Sequence, residues 1–355
     1  MNQVPSPPQA LRAELSMPVH GGLAGTADSS KGSEQLSLEQ DSSGGDGKRL
    51  RYVCMPGSPY TGSTLLGALL NEHPHCASIG AATGLIRKSD LSSYHCSCGK
   101  PFLECDFWHD IVARTRALGR PVNVFKTNRW NTYLRLSQNR LINAVLVRSL
   151  GQDSLNDVRD ALVGRLSGVK RAISEMGWNT WSLASAVLEK TGKSVFVDTA
   201  RDHQRPKYLA RHPLLDVRVI HLVRDPRGNS ASIMKHTGAD VAAAARQWKH
   251  YNVEAARVRR YLPQGSWMSL HYEDLCADPG GVFDRISDFL EVDRAPIEHG
   301  SRNLESHIIG NKMRLKGGRE IREDLSWQTK FGGAELATIA RIAGSTSHSL
   351  GFNWP

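Results

Sequence analysis

The chain has 355 residues, 40% of them hydrophobic, enough for one large core or two modest ones. Lys and Arg number 45 against 35 Asp and Glu, and the formal net charge of +10 fits a solvated basic surface, anionic small-molecule partners or nucleic acid. No zinc-finger spacing, RNA-recognition signature or basic heptad points to nucleic acid; six cysteines in this length make no disulfide scaffold; and no apolar run approaches the ~20 residues of a membrane span.

Residues 1–48 are rich in Ser, Gly, Pro and Gln and lack aromatics. They read as a disordered tail. No basic stretch leads into an apolar one there, so no signal peptide is read, and a cytoplasmic location with reduced thiols is expected. Order is expected from "RLRYVCM", giving one domain over 49–355. "RYVCM" is a short apolar run followed by a Gly/Pro turn and "STLLGALLNEH", whose Leu65, Leu66, Leu69 and Leu70 share one helical face. "CASIG", "KSVFVDT" (Lys193–Thr199), "DVRVIHLV" (Asp216–Val223) and "SWMSLHYEDL" are further strand candidates. Helical patterns lie between them, in "RPKYLARH", "AAAARQWKHYNVEAARVRRYL" and "GVFDRISDFLEV". The alternation predicts an α/β fold with a mainly parallel central sheet. Residues 136–190 hold no strong strand and read as a helical insertion.

The first turn carries chemistry. Gly57, four residues, then Gly62, Ser63 and Thr64 make the skeleton of a phosphate-binding P-loop with serine in the lysine position. Backbone N–H groups and the helix N-terminus there suit a phosphate group. The missing lysine argues against hydrolysis of a nucleoside triphosphate. A plain strand–turn–helix with a serine cap fits the same residues. In "VIHLVRDPRGNSASIMKH", Arg224 ends a strand and Ser232 follows eight residues later on a helix started by Asp225-Pro226. Arginine offers a planar fork of donors suited to phosphate.

Together the two segments resemble the sulfotransferase superfamily. "GSPYTGSTLL" is similar to that family's 5′-phosphosulfate loop, and "LVRDPRGNSAS" to its 3′-phosphate motif. "CSCGKPFLECDFW", "VDTARDHQRPKYLARHP", "HYEDLCADPGGVFDRISDFLEV" and "HIIGNKMRLKGG" resemble bacterial-type members in that order. The resemblance implies a P-loop-like three-layer fold and transfer of a sulfuryl group from 3′-phosphoadenosine 5′-phosphosulfate (PAPS), leaving PAP. The acceptor would be a hydroxyl or amine of a small molecule or glycan, and no metal is implied. Ser58, Tyr60, Thr61, Gly62, Ser63 and Thr64 would surround the phosphosulfate; Arg224 and Ser232 would hold the 3′-phosphate; Arg314 would add a basic contact.

The chain departs from the family twice. Many members carry Lys or Arg where Tyr60 stands, and some carry tyrosine; the cation is lost here unless Arg201 or Lys207 takes over. Relatives also carry a Gly-Glu pair after the second strand, whose glutamate is the expected general base. Here the residues are Gly80 and Ala81. Asp198, then His203, become the candidate bases; an easily ionised acceptor, or a protein that binds PAPS or PAP without catalysis, are the alternatives. A divergent P-loop kinase or hydrolase is the remaining reading. Asp198 reads equally as a helix cap. Cys96, Cys98 and Cys105 form C-x-C-x₆-C beside His95 and His109, and read as buried structural thiols rather than a metal site. His236 reads as a surface residue at a helix end.

Overall fold

β-branched runs alternate with helices along the chain. In the computed structural model, residues 49–84, 91–127, 129–137, 139–147, 150–296, 306–310 and 321–353 are described. The expected tail, 1–48, lies outside them. The strands are β1 (Leu50–Cys54), β2 (Cys76–Gly80), β3 (Val195–Asp198), β4 (Leu215–Val223) and β5 (Trp267–His271). The helices are α1 (Ser63–Leu70), α2 (Asp106–Ala117), α3 (Arg140–Val147), α4 (Asp153–Val163), α5 (Ser167–Thr191), α6 (Arg205–Leu209), α7 (Pro226–Thr237), α8 (Val241–Val258), α9 (Tyr272–Ala277), α10 (Pro279–Leu290), α11 (Trp327–Lys330) and α12 (Gly333–Ser349).

Among the described residues the sheet has five strands, in the order β2-β3-β1-β4-β5. Every neighbouring pair is parallel. A parallel sheet is buried on both faces, and the clusters show this. Tyr52, Phe196, Val217 and Val219 point to one face, where Trp108 and Ile111 of α2 and Leu183 and Val187 of α5 pack. Val53, Val195, Val197, Ile220 and Leu222 point to the other, against Leu65, Leu66, Leu69 and Leu70 of α1 and Phe283 and Ile286 of α10. A third cluster joins α7, α8 and α12 through Ala231, Trp248 and Ile339. The result is the expected three-layer α/β fold.

"SWMSLHYEDL" is a strand only to His271; Tyr272 opens a helix with Glu273 and Asp274 in its first turn. Acidic side chains favour a helix N-terminus, which outweighs the apolar pattern there. Between β2 and β3 the chain forms α2, α3, α4 and the 25-residue α5, which ends at Gly192 with φ 67. No described helix is long and apolar enough to cross a membrane.

Candidate active site

Parallel sheets place ligands beyond the carboxyl ends of their strands, where strand order reverses. Here β1 lies between β3 and β4, so the loop leaving β1 occupies that crevice. Its interior is fixed by its own side chains. Ser58 is fully buried; its hydroxyl donates to Asn229 Oδ1 at 2.9 Å, and Asn229 Nδ2 donates to the Pro59 carbonyl at 2.9 Å. The Thr61 hydroxyl donates to the Ser58 carbonyl at 3.2 Å. Ser58 and Thr61 therefore shape the loop and anchor it to α7. Tyr60 (φ 65) and Gly62 (φ 96) turn the chain through left-handed conformations. A Cβ at Gly62 would lie 2.8 Å from the Tyr272 ring, so only glycine fits.

Gly62 caps α1 with no side-chain hydrogen bond and no acidic residue in the first turn. The first N–H groups of a helix have no intrahelical partner and carry partial positive charge. Those of Ser63 and Thr64, with their hydroxyls, suit an anion.

The second motif converges on the same place. Asp225 caps α7 by accepting from the Arg227 N–H at 2.7 Å, with Pro226 at the first turn. Arg224 is held from behind: its carbonyl accepts from Trp248 Nε1 at 2.9 Å, and the Asp225 N–H donates to Glu273 Oε1 at 2.9 Å. Arg224 is 6% exposed. It donates to Ser232 Oγ at 3.0 Å, the Tyr60 carbonyl at 3.3 Å and the Asp324 carbonyl at 3.0 Å. Its face lies 4.7 Å from the Tyr272 ring centroid, a cation–π arrangement. The Asp324 carboxylate stands 3.6 Å away.

Both motifs open onto one cavity of about 550 Å³, lined by Tyr60, Gly62, Ser63, Thr64, Arg224 and Ser232. That volume suits a nucleotide-sized ligand. Ala81, Thr199, Arg201 and Tyr272 line it from the ends of β2, β3 and β5, and Tyr94, Ile309 and Gly310 from loops. His236 also lines it, stacked on Tyr60 at 4.7 Å; α7 carries it there one turn beyond Ser232, a periodicity the sequence already held. Ile309 and Gly310 belong to the segment "HIIGNKMRLKGG" read as similar to the family, though only Arg314 was singled out in it; Tyr94 had no sequence signal. Arg314 lies outside the described residues.

The candidate bases fare differently. Asp198 is 1% exposed and does not line the cavity. Its Oδ2 accepts from Arg205 Nη1 at 2.5 Å and from the Tyr52 hydroxyl at 2.7 Å. Its Oδ1 accepts from the N–H groups of Ala82 and Ala200 at 2.9 and 2.8 Å. Burial, then the Asp198 charge, hold the Tyr52 phenol far above its usual pKa, so it remains a donor. A carboxylate with both oxygens engaged by donors is poorly placed to take a proton from a ligand. Strand-end position pointed to Asp198; the arginine seven residues on gives it a supporting position instead, holding the Ala81–Ala82 turn. His203 does not line the cavity; its ring packs against those of His250 and Tyr251. Burial lowers its pKa. Lys207 donates to Asp160 at 2.5 Å, in the helical region. Of the two cations expected to replace the missing one, Arg201 is the one that lines the cavity.

Residues 174–296 match the family model described as Sulfotransferase family. Among solved structures the chain is similar to the sulfotransferase domain of the Synechococcus PCC 7002 olefin synthase, at 18% identity over 89% of this chain and 99% of that one, with a TM-score of 0.44. The sulfotransferase domain from the curacin biosynthetic pathway is 17% identical over 84% and 98% of the two chains, with a TM-score of 0.40. A retinol dehydratase in complex with retinol and PAP is 13% identical over 86% and 83%, with a TM-score of 0.37. No curated protein matches in sequence. The family match covers "VDTARDHQRPKYLARHP", "LVRDPRGNSAS" and "HYEDLCADPGGVFDRISDFLEV" and bears out the sulfotransferase resemblance there; the first loop lies outside the matched residues.

Proposed function

We propose, from the sulfotransferase resemblance of residues 174–296, that the protein transfers a sulfuryl group from PAPS to a hydroxyl-bearing small molecule. The observation that carries this reading is the shared cavity. One wall offers an uncapped helix N-terminus with two hydroxyls, and another offers Arg224 beside Ser232. These residues fit a ligand with two separate anionic groups, and the loop's lack of lysine fits one with no terminal phosphate. PAPS would supply the sulfuryl group.

The chain's own residues then have distinct tasks. The α1 N-terminus and the Ser63 and Thr64 hydroxyls bind the phosphosulfate end and favour negative charge on it. Arg201 contributes the cation that Tyr60 does not. Arg224 and Ser232 hold the 3′-phosphate, which competes with the Asp324 carboxylate for the guanidinium. Catalysis rests on positioning and charge stabilisation. Asp324 is the single acidic residue among the described residues lining the cavity, and it faces Arg224. With Asp198 bound to Arg205, the acceptor that fits best is one that ionises readily, such as a phenol.

The test is transfer from labelled PAPS to phenols, sugars and aliphatic alcohols, beside calorimetric titration with PAP. Transfer to phenols with little to alkyl alcohols is the expected result. Tight PAP binding without transfer to any acceptor supports a non-catalytic binder, which the engaged Asp198 also favours. Absence of PAP binding by the folded chain would end both readings. Ala81→Glu should speed transfer to alkyl alcohols, because Ala81 lines the cavity and general bases contribute about 10²–10⁴-fold.

A further inference from the structure

The thiols of "CSCGKPFLEC" do not stand alone. Cys96 and Cys98 flank a turn in which the Cys96 N–H donates to the Lys100 carbonyl and the Gly99 N–H to the Cys96 carbonyl, both at 3.0 Å. Gly99 takes φ 94 there. Cys105 follows a short 3₁₀ turn and leads into α2. His307, 202 positions further on, brings Nδ1 to 3.4 Å from Cys105 Sγ and 3.6 Å from Cys96 Sγ. Cys98 Sγ lies 3.8 Å from Cys105 Sγ. All the ligand atoms of these residues fall within 4.8 Å of one another.

We infer that Cys96, Cys98, Cys105 and His307 form a structural Zn²⁺ site. Tetrahedral zinc with Zn–S of about 2.3 Å and Zn–N of about 2.05 Å has S···S edges of ~3.8 Å and S···N edges of ~3.6 Å. Three of the six edges, at 3.8, 3.6 and 3.4 Å, lie within about 0.2 Å of those values. Three thiolates and one imidazole are a common structural zinc set, closed to further ligands. The imidazole is pre-oriented by Phe107, whose ring stacks on it at 4.1 Å and 3°. Zinc takes the thiolate forms, so binding releases the thiol protons to solvent.

Its surroundings say what the ion would do. The Ser97 hydroxyl donates to the Ser306 carbonyl at 2.6 Å, and the Ile308 N–H donates to Ser97 Oγ at 2.7 Å. The Ile309 N–H donates to the Ile79 carbonyl at 2.8 Å, and the Gly310 N–H to the Tyr94 hydroxyl at 2.8 Å. The cluster thus clips residues 306–310 to the edge of β2, where Tyr94, Ile309 and Gly310 form one wall of the cavity. A metal closing a loop of this length removes much disorder from the unfolded chain. The site does not depend on the proposed transfer reaction.

Elemental analysis of the full chain decides the matter. The protein is expressed in zinc-supplemented medium and purified under reducing conditions without metal-affinity resin. About one zinc per chain is expected. Cys98→Ser and His307→Gln should each lower that content at least tenfold, while Cys276→Ser, outside the cluster, should leave it unchanged. Cobalt exchanged into the wild-type chain should give the visible spectrum of tetrahedral thiolate coordination. A folded wild-type chain with less than about a tenth of an equivalent of zinc, or a Cys98–Cys105 disulfide found by peptide mass spectrometry, would overturn the site. So would full zinc content in folded Cys98→Ser and His307→Gln. The wild-type measurement stands even if a variant fails to fold.

Discussion

Replacing Asp198 with asparagine separates support from proton transfer. The carboxylate is 1% exposed and its partner Arg205 also 1% exposed. Removing one charge of a buried pair leaves the other without compensation, which costs about 3–5 kcal/mol. Asparagine can still accept from Ala82 and Ala200 through Oδ1, so the turn beside Ala81 keeps its hydrogen bonds. Its Nδ2 would then face two donors, Arg205 and Tyr52. Against a total stability of roughly 5–15 kcal/mol, a loss of this size should lower the melting temperature by on the order of 10 °C. Thermal and urea unfolding, followed by circular dichroism, measure it. Adding Arg205→Met to Asp198→Asn should recover part of the loss, since the stranded cation is gone. If Asp198→Asn melts like wild type and binds PAP normally but transfers nothing, the supporting role is wrong and Asp198 is the base.

Arg224→Ala should weaken PAP binding by about 1.5–3 kcal/mol, the worth of a hydrogen bond to a charged group, read by calorimetry; unchanged affinity in a folded variant would refute the 3′-phosphate assignment. Asp324→Asn should tighten PAP binding by a few-fold, because it removes a half-exposed negative charge 3.6 Å from the same guanidinium, and weaker binding would count against that competition. Burial pulls the pKa of His221 down from 6.5 to about 4. The folded chain holds this ring neutral while the unfolded chain protonates it, so its contribution is complete above pH 6.5 and is lost as pH falls towards 4. The loss is about 3 kcal/mol. His221→Gln, which keeps a donor for Asn252 Oδ1, should flatten that slope in urea titrations at pH 7 and pH 4.5.

Much of the frame was legible because its signals are local. Each strand of the sheet lies within an apolar run, and Leu65, Leu66, Leu69 and Leu70 fall on one face because the helical period puts them there. The meeting of Arg224 with Ser232 follows from a strand end, a cap and two helical turns, all within nine residues. Asp198 shows where local reasoning stops. Its strand-end position was readable, but its charge is answered by a partner on α6 and a phenol on β1. His307 marks the same limit more sharply. Nothing in the spacing of three cysteines specifies a fourth group 202 residues away.

The wall at Ile309 and Gly310 joins positions as much as 230 residues apart, through Ile79 and Ile309. Contacts of such separation form late in folding, since the intervening loop must close first. A growing chain also emerges N-terminal end first. Ser63, Arg224 and Ser232 are therefore synthesised, and their strands can pair, while the pocket is still open on that side. A nascent or proteolysed chain ending between residues 238 and 305 keeps both motifs yet lacks the wall. If the proposed assignment holds, such a fragment would present the helix N-terminus and Arg224 to solvent on the side that Ile309 and Gly310 otherwise close.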